Sequence, residues 1–329
     1  MSYSKDVFFK PWVGLDYPYG WCLDTTNNNN KIVRCTDCTS CTIYNSCANK
    51  NKSFKVMVLG LEHYCKNKDP KDPNSQSHPA IKSTEENDIY KSTGYALKSS
   101  VGECLMHLIP SYCNNNKCSK KCRNFINCPK NKCAHLFACK GMTEDVIKGH
   151  IFADKKDKWI AAALDIYPFN AKSHAIFEKI CTGKTQKLKT QERKDFWNSM
   201  LFSNFFQRGM PNPTGNGSFH ISTENDRAFK AFENIVNIHK PNIVFVWGDD
   251  IKDSLGPKVE SKCIPFLRTT LNLCQMRKNY NILLDYIPHT SPSRINRRYG
   301  GKKRYPSLFE KYILPAFETA ENLRNNGLL

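Results

Sequence analysis

The sequence predicts an α/β protein: a three-layer α/β/α sandwich around a mainly parallel sheet. Three observations lead there. Four short, almost wholly apolar runs recur along the chain, segments with helical spacing lie between them, and the chemically interesting polar residues follow the ends of the runs. Strands apolar on both faces belong to parallel sheets covered by helices on both sides. In such sheets function collects at the carboxyl ends of the strands.

The elements follow in order. The first 50 residues or so carry a cysteine run and an Asn-rich loop, TTNNNN, which composition leaves without regular structure. The first apolar run is Phe54 to Gly60, FKVMVLG, a strand ending at glycine. The loop KNKDPKDPNSQSHP holds too many prolines and aspartates for a regular element. GYALKSSVGECLMHLI places Leu97, Val101, Cys104, Leu105 and Leu108 on one helical stripe. Residues 111–150 hold six cysteines, many lysines and few aliphatics, so a metal-held insertion is expected there. WIAAALDIYPF resumes apolar sequence and fits strand or helix. NSMLFSNFFQR is a strand closing on a polar cluster. STENDRAFKAFENIVNIHKP is a helix: Ser222, Thr223 and Asp226 are capping candidates, Phe229, Phe232, Ile235 and Val236 form its stripe, and Pro241 stops it. NIVFVWG and NILLDYIP are the last two strands, and YPSLFEKYILPAFETAENL closes the chain as a helix kinked or divided at Pro315. The expected organisation is one domain over residues 1–329, with a cysteine-rich segment at 31–50 and a cysteine-rich insertion at 111–150.

The 329 residues carry 49 Lys+Arg against 30 Asp+Glu, a net charge of +19. That balance favours a polyanionic partner, since each phosphate neutralised releases a condensed counterion. No apolar stretch approaches the roughly 18 residues of a membrane span, and the start, MSYSKDVFFKPW, lacks the apolar core of a secretory signal. The expectation is a cytoplasmic protein, monomeric, without a membrane partner. In that compartment the 16 cysteines point to metal rather than to disulfides.

The strand ends hold the candidate site. The first continues as GLEHY (Gly60, Leu61, Glu62, His63, Tyr64), a later one as SNFFQR (Asn204 to Arg208), and the last as HTSPSR, beginning at His289. Singly, such residues are ordinary: a Glu after a strand is usually solvated, an Asn usually caps a turn, a His is usually structural. In this order they resemble the motifs of the uracil-DNA glycosylase superfamily. There the first motif is G-Q-D-P-Y or G-E-x-P-G, and the last is H-P-S-P followed by a wedge residue. The resemblance is closest to the iron–sulfur branch, often called family 4. CTDC at Cys35 and Cys38 resembles its opening C-x-x-C, VGECL at Val101 to Leu105 its A-G-x-L-L helix, NFFQRGMP from Asn204 its N-x-x-x-x-R-P-P, and PNIVFVWG its P-x-I-x-x-x-G strand. Order and spacing hold over most of the chain outside residues 1–30 and 111–165. Three departures stand out. Gln207 occupies the position of that branch's third cluster cysteine, His63 replaces a proline, and the 111–150 insertion has no counterpart in the small members. In the last motif Thr290 replaces the first proline.

The resemblance implies a central parallel sheet of four strands and a DNA glycosylase that flips out uracil or a modified pyrimidine and hydrolyses its bond to deoxyribose. The role would be repair or defence against foreign DNA carrying modified bases. In such a reaction the sugar becomes cation-like and the base leaves as an anion. By resemblance Glu62 positions the attacking water, His289 stabilises the leaving base, and Asn204 reads the polar edge of the base, since an amide both donates and accepts. Gly60, Leu61, His63 and Tyr64 line the pocket, with Tyr64 walling off the ring's 5-position. Tyr95 and Phe169 compete for the stacking platform. Ser291, Ser293 and Arg294 follow His289 as wedge and phosphate clamp. Arg297, Arg298, Lys302, Lys303 and Arg304 extend that loop as a cationic platform for DNA.

Cys35, Cys38, Cys41 and Cys47 are spaced C-x2-C-x2-C-x5-C, close to ferredoxin-like cluster loops. These four thiolates suit a [4Fe–4S] cluster, with zinc as the rival. Cys113, Cys118, Cys122, Cys128, Cys133 and Cys139, with His135 among them, are a second metal-binding group of structural rather than redox character. Two other functions stay open: a nucleic-acid-binding metalloprotein without catalysis, and a zinc-dependent deaminase or nuclease. The H-x-E…P-C-x-x-C arrangement of the zinc deaminases is absent from the sequence.

Overall fold

The computed structural model describes residues 3–4, 6–7, 10–24, 31–35, 53–60, 63–66, 147, 168–206, 209–212, 222–259, 262–266, 270–290, 295, 299–300 and 304–329. Strand β1 (Trp12–Val13) leads through a 3-10 turn (Tyr17–Tyr19) into a hairpin of β2 (Trp21–Asp24) and β3 (Lys31–Arg34). Then come β4 (Val56–Gly60), β5 (His63–Lys66), α1 (Pro168–Thr182), α2 (Thr190–Asn198), β6 (Met200–Asn204) and β7 (Gly209–Asn212). The remainder is α3 (Ser222–His239), β8 (Ile243–Trp247), α4 (Asp249–Val259), β9 (Cys263–Pro265), β10 (Leu271–Arg277), β11 (Tyr280–Ile287), α5 (Arg304–Leu308), a π-helical turn (Phe309–Ile313) and α6 (Leu314–Asn325).

The main sheet has seven strands in the order β1-β6-β4-β8-β11-β10-β9. Its middle four, β6, β4, β8 and β11, are parallel, as expected from their apolar sequences. The expectation of four strands is corrected: β1 on one side and β10 and β9 on the other extend the sheet with antiparallel pairs. The added strands escape a pattern search for physical reasons. β1 and β9 span two and three residues, too short for periodicity. β10 joins β11 by a two-residue hairpin at Lys278–Asn279, where Asn279 takes φ 62°, the left-handed turn geometry that asparagine tolerates.

Parallel register fixes which side chains share a face. Phe202, Val58 and Phe245 lie in one row across β6, β4 and β8, and Asp285 continues it on β11. That face is covered by α1 and α2: Phe177 meets Trp247 at 5.0 Å between ring centroids, and Trp197 meets Phe202 at 6.0 Å. The other face receives α3, whose Val236 and Pro241 region accepts the Tyr280 hydroxyl, at 2.8 Å from the Pro241 carbonyl oxygen. Helix α3 buries Phe232, Ile235 and Val236 and stops before Pro241, as its sequence predicts. The closing helix runs without a break from Arg304 to Asn325 through a π-helical turn, where the Leu314 N–H donates to the Phe309 carbonyl five residues back and Pro315 follows directly. Pro315 therefore does not divide the helix, and the wider turn before it accommodates a residue that cannot donate to the ladder.

The sequence pointed away from disulfides, yet Cys263 and Cys274 are joined. They stand directly opposite each other in the β9–β10 ladder, with Cα atoms 4.0 Å apart, which is how antiparallel pairing brings two cysteines into bonding reach. Neither belongs to the two cysteine groups read for metal.

Between α1 and α2 a polar knot lies within the apolar layer. Glu178 and Arg193, both fully buried, approach to 3.7 Å, the Trp197 indole donates to Glu178 Oε1 at 2.8 Å, and Arg193 donates to the Leu188 carbonyl at 3.1 Å. Removing one member of a buried ion pair strands the other charge. Arg193→Ala is therefore expected to cost about 3–5 kcal/mol in urea unfolding, whereas Lys184→Ala, in an exposed pair with Glu192, is expected to cost under about 1 kcal/mol.

Candidate functional site

The chain places β6 on one side of β4 and β8 on the other. The connection leaving β4 runs to β6 on one side and the connection leaving its neighbour β8 runs to β11 on the other, which opens a crevice at the carboxyl ends of these strands. Gly60, Asn204, Trp247 and Gly248 lie along that edge, with His289 arriving two residues after β11. Gly60 pairs with Asn204 in register, and a methyl group on Gly60 would stand 2.7 Å from Asn204 Oδ1 and 2.9 Å from Phe202 Cζ. Asn204, only 5% exposed, thus lays its carboxamide over bare backbone, where only glycine leaves room. Phe205 N–H donates to the Gly60 carbonyl at 2.7 Å and holds the two strand ends together.

His289 has its own seat. Gly248 takes φ +94° and receives a hydrogen bond geometry fixed by its N–H, which donates to the Ile287 carbonyl at 2.9 Å. A Cβ at Gly248 would lie 2.9 Å from His289 Cβ and 3.3 Å from Cδ2, so the imidazole rests directly against this residue. His289 is half-buried, while Thr290 after it is fully buried. Asn204 and His289 are therefore both presented by glycines at the ends of neighbouring strands.

Beneath the edge lies an aromatic floor that sequence reasoning missed. Trp247 contacts Phe202 at 5.6 Å and the buried His174 of α1 at 5.4 Å, and His174 also meets Phe202 at 5.4 Å and Trp197 at 5.1 Å. The indole N–H of Trp247 and the hydroxyl of Thr290 are buried without a hydrogen-bond partner among the described residues. The WG dipeptide at the end of β8 was the available signal, since glycine at a strand end marks close approach; for His174, a histidine inside a helix, there was none. One further residue was missed. Asp285 of β11 is fully buried, accepts a hydrogen bond from the Thr270 hydroxyl at 2.5 Å, and has its other oxygen without a partner among the described residues. Burial pushes its pKa up to about 7, against the opposing pull of the Thr270 hydroxyl.

Of the residues expected from sequence, Gly60, Asn204 and His289 are brought to one edge. Leu61 and Glu62 lie outside the described residues, flanked by Gly60 and by β5, where His63 and Tyr64 pair in parallel with Gly209 and Met210 of β7. The chain thus runs beside the β6–β7 segment on both sides of Glu62. Phe169 falls in the first turn of α1. Tyr95, Ser291, Ser293, Arg294, Arg297, Arg298, Lys302 and Lys303 lie outside the described residues. So do Cys38, Cys41, Cys47, Cys113, Cys118, Cys122, Cys128, Cys133, His135 and Cys139, while Cys35 is described and buried. Among the described residues no three His, Cys, Asp or Glu side chains gather as a metal site, and no helix is long and apolar enough to cross a membrane. A scan against protein-family models and a search of curated proteins return no match for the chain.

Two outcomes follow from the edge geometry. Gly248→Ala is expected to lose about 1–3 kcal/mol of stability from left-handed strain and to shift the imidazole NMR resonances of His289. Gly256→Ala in α4, where a Cβ meets nothing within 4 Å, leaves those resonances in place. The second concerns Asp285, whose pKa is raised on folding from an ordinary carboxylate value near 3.9 to about 7. The folded state then binds more protons than the unfolded state between these values, so this contribution is full below about pH 4 and is lost as pH rises through about 7. Asp285→Asn is expected to flatten that fall in urea-unfolding stability.

Proposed function

We propose that the protein is a DNA glycosylase that flips a pyrimidine from DNA and hydrolyses the base–sugar bond, leaving an abasic site. The observation that carries this reading is the placement of Asn204 against Gly60 and of His289 against Gly248, two glycines that end neighbouring strands at the carboxyl edge of the parallel sheet. This supports the resemblance of GLEHY, NFFQRGMP and HTSPSR to uracil-DNA glycosylase motifs, because Gly60, Asn204 and His289, far apart in sequence, come to one edge of the sheet. The finer assignment to the iron–sulfur branch rests on the sequence motifs alone.

In the reaction the bond from C1′ to the base nitrogen breaks, and its electron pair leaves with the base. Water adds its oxygen to C1′, one of its protons passes through Glu62 to solvent, and the base anion takes up a proton from solvent. Glu62 orients that water and stabilises the cation-like sugar. His289, seated on a rigid backbone corner, stabilises the charge that develops on the base. Asn204 is preorganised, since burial over Gly60 leaves its carboxamide little rotameric freedom, so the cost of ordering it is met in folding rather than in binding.

The net charge of +19 supports a nucleic-acid substrate. So does the foot of the basic loop, where Arg304 and Lys179 approach the ring of Tyr305 at 4.7 and 5.1 Å. Burial, and then Arg304 beside it, push the Lys179 amine below its usual range, a crowding of cations that an incoming phosphate would relieve. A [4Fe–4S] cluster, or zinc in its place, belongs to this proposal as a structural group.

The test is base release from DNAs carrying uracil, natural bases or modified cytosines and thymines, with Glu62→Ala and His289→Ala beside the wild-type protein. We expect release of one pyrimidine class and a fall of about 100-fold or more in each variant. Tight DNA binding with no release from any substrate would replace this reading with that of a binding protein.

A further inference from the structure

A cavity of about 390 Å³ lies at the end of the sheet away from Asn204 and His289. Trp21, in its wall, fixes the place. Its backbone exchanges hydrogen bonds of 2.9 and 2.7 Å with Phe54, just before β4, and its indole N–H donates at 3.1 Å to the carbonyl of Ser199, just before β6. The rest of the wall comes from β3, the end of α1, the start of α2 and the π-helical turn. Gly183 takes φ 65° as the chain turns from α1 towards α2, and its Cβ position lies 3.5 Å from Phe309 Cγ.

The lining decides what such a space can hold. Trp21, Leu188, Phe196 and Cys181 are buried residues that face it, with Phe309 beside them. Burial pushes the Cys181 thiol well up, so it adds neutral surface. Most polar groups of the wall are already engaged. The Thr182 hydroxyl donates to the Glu178 carbonyl at 2.7 Å, the Lys184 ammonium donates to Glu192 Oε1 at 2.7 Å, and Glu192 Oε2 accepts from the Lys189 N–H at 2.9 Å. Arg34 differs. Among the described residues its guanidinium makes one hydrogen bond, from Nη1 to the Glu192 carbonyl at 3.4 Å, a long contact that leaves most of its donors over. Burial pulls its pKa down, against Asp195 first and then Glu192 and Asp16. None of these carboxylates pairs with it directly among the described residues, and Asp195 Oδ1 accepts from Gln191 at 2.6 Å. The charge of Arg34 is thus balanced at a distance, and what its N–H groups lack is acceptors.

We propose that this cavity binds a small, planar, uncharged molecule of the lactam or imide class, its flat body against Trp21, Phe196 and Phe309 and its ring carbonyl accepting from Arg34. Its volume stands near the lower end of ligand pockets and suits a molecule of roughly two fused rings. Mostly apolar walls with one planar, donor-rich group favour a flat ligand that carries its acceptor on one edge. An anion fits less well. It would bring a further negative charge to a place where Asp195, Glu192 and Asp16 already outnumber Arg34 and Lys184. The cavity lies at the opposite end of the strands from the candidate catalytic edge, so neither result of the base-release assay bears on it.

The experiment is saturation-transfer NMR on the full-length protein with three flat probes: carbostyril, a neutral lactam; quinaldate, an anion; and naphthalene, which has no acceptor. Each is titrated into wild-type protein, Arg34→Met and, as a control, Arg277→Met, which changes an exposed arginine on β10. We expect carbostyril to bind saturably and more tightly than the other two. Its affinity is expected to fall at least about tenfold in Arg34→Met and to stay unchanged in Arg277→Met. A second readout needs no variant: in the wild-type protein, bound carbostyril gives intermolecular NOEs to the Trp21 indole and Phe309 ring protons. No saturable binding of carbostyril at millimolar concentration, tighter binding of quinaldate, unchanged affinity in Arg34→Met, or NOEs that omit Trp21 and Phe309 would each overturn the proposal.

Discussion

Everything at the candidate site depends on the pairing of β4 on both of its edges. Val56 to Leu59 are fully buried, and this strand binds β6 and β8 in parallel. Paired on both edges and covered on both faces, so short and apolar a strand satisfies both its backbone groups and its side chains. Because both neighbours share its register, their last residues end at the same level. Asn204, Gly60 and Trp247 are consequently level with one another, and the following turns can bring Gly248 and His289 to the same edge.

The two glycines convert that alignment into a site. In each case backbone without a side chain receives a candidate site residue from the next strand, and the contact distances leave no room for a methyl group. The aromatic layer beneath, where Trp247 packs against Phe202, His174 and Phe177, gives the edge a close-packed floor. Rigid support of this kind is what lets a carboxamide and an imidazole hold a chosen geometry in the absence of substrate.

Sequence reasoning reached the parts of the fold that are written in periodicity. The four parallel strands and helix α3 have apolar patterns that only buried elements carry, and they fall where expected. Strands β1 and β9 are too short to show a pattern, and β10 mixes buried and exposed residues. The closing helix itself was legible, but the π-helical turn that carries it into Pro315 was not, because one extra residue in a turn leaves no compositional trace. For the site, Asn204 and His289 were legible because polar residues after apolar runs are conspicuous. Trp247 and Asp285 were not, since each lies inside an apolar run and reads there as core or as noise.

The ends of the main sheet carry a consequence of their own. Its outermost strands are β1, with two residues, and β9, with three, and the latter is tied to its neighbour by the Cys263–Cys274 bond. A growing stack of sheets needs a long, level row of unpaired amide and carbonyl groups on which another chain can register. Among the described residues neither border offers one. Ile264 on β9 is 69% exposed, an apolar side chain at a place where a longer strand would invite a stranger to align. The brevity of the described borders, rather than any charge placed on them, limits what a further copy of this apolar sheet could align on.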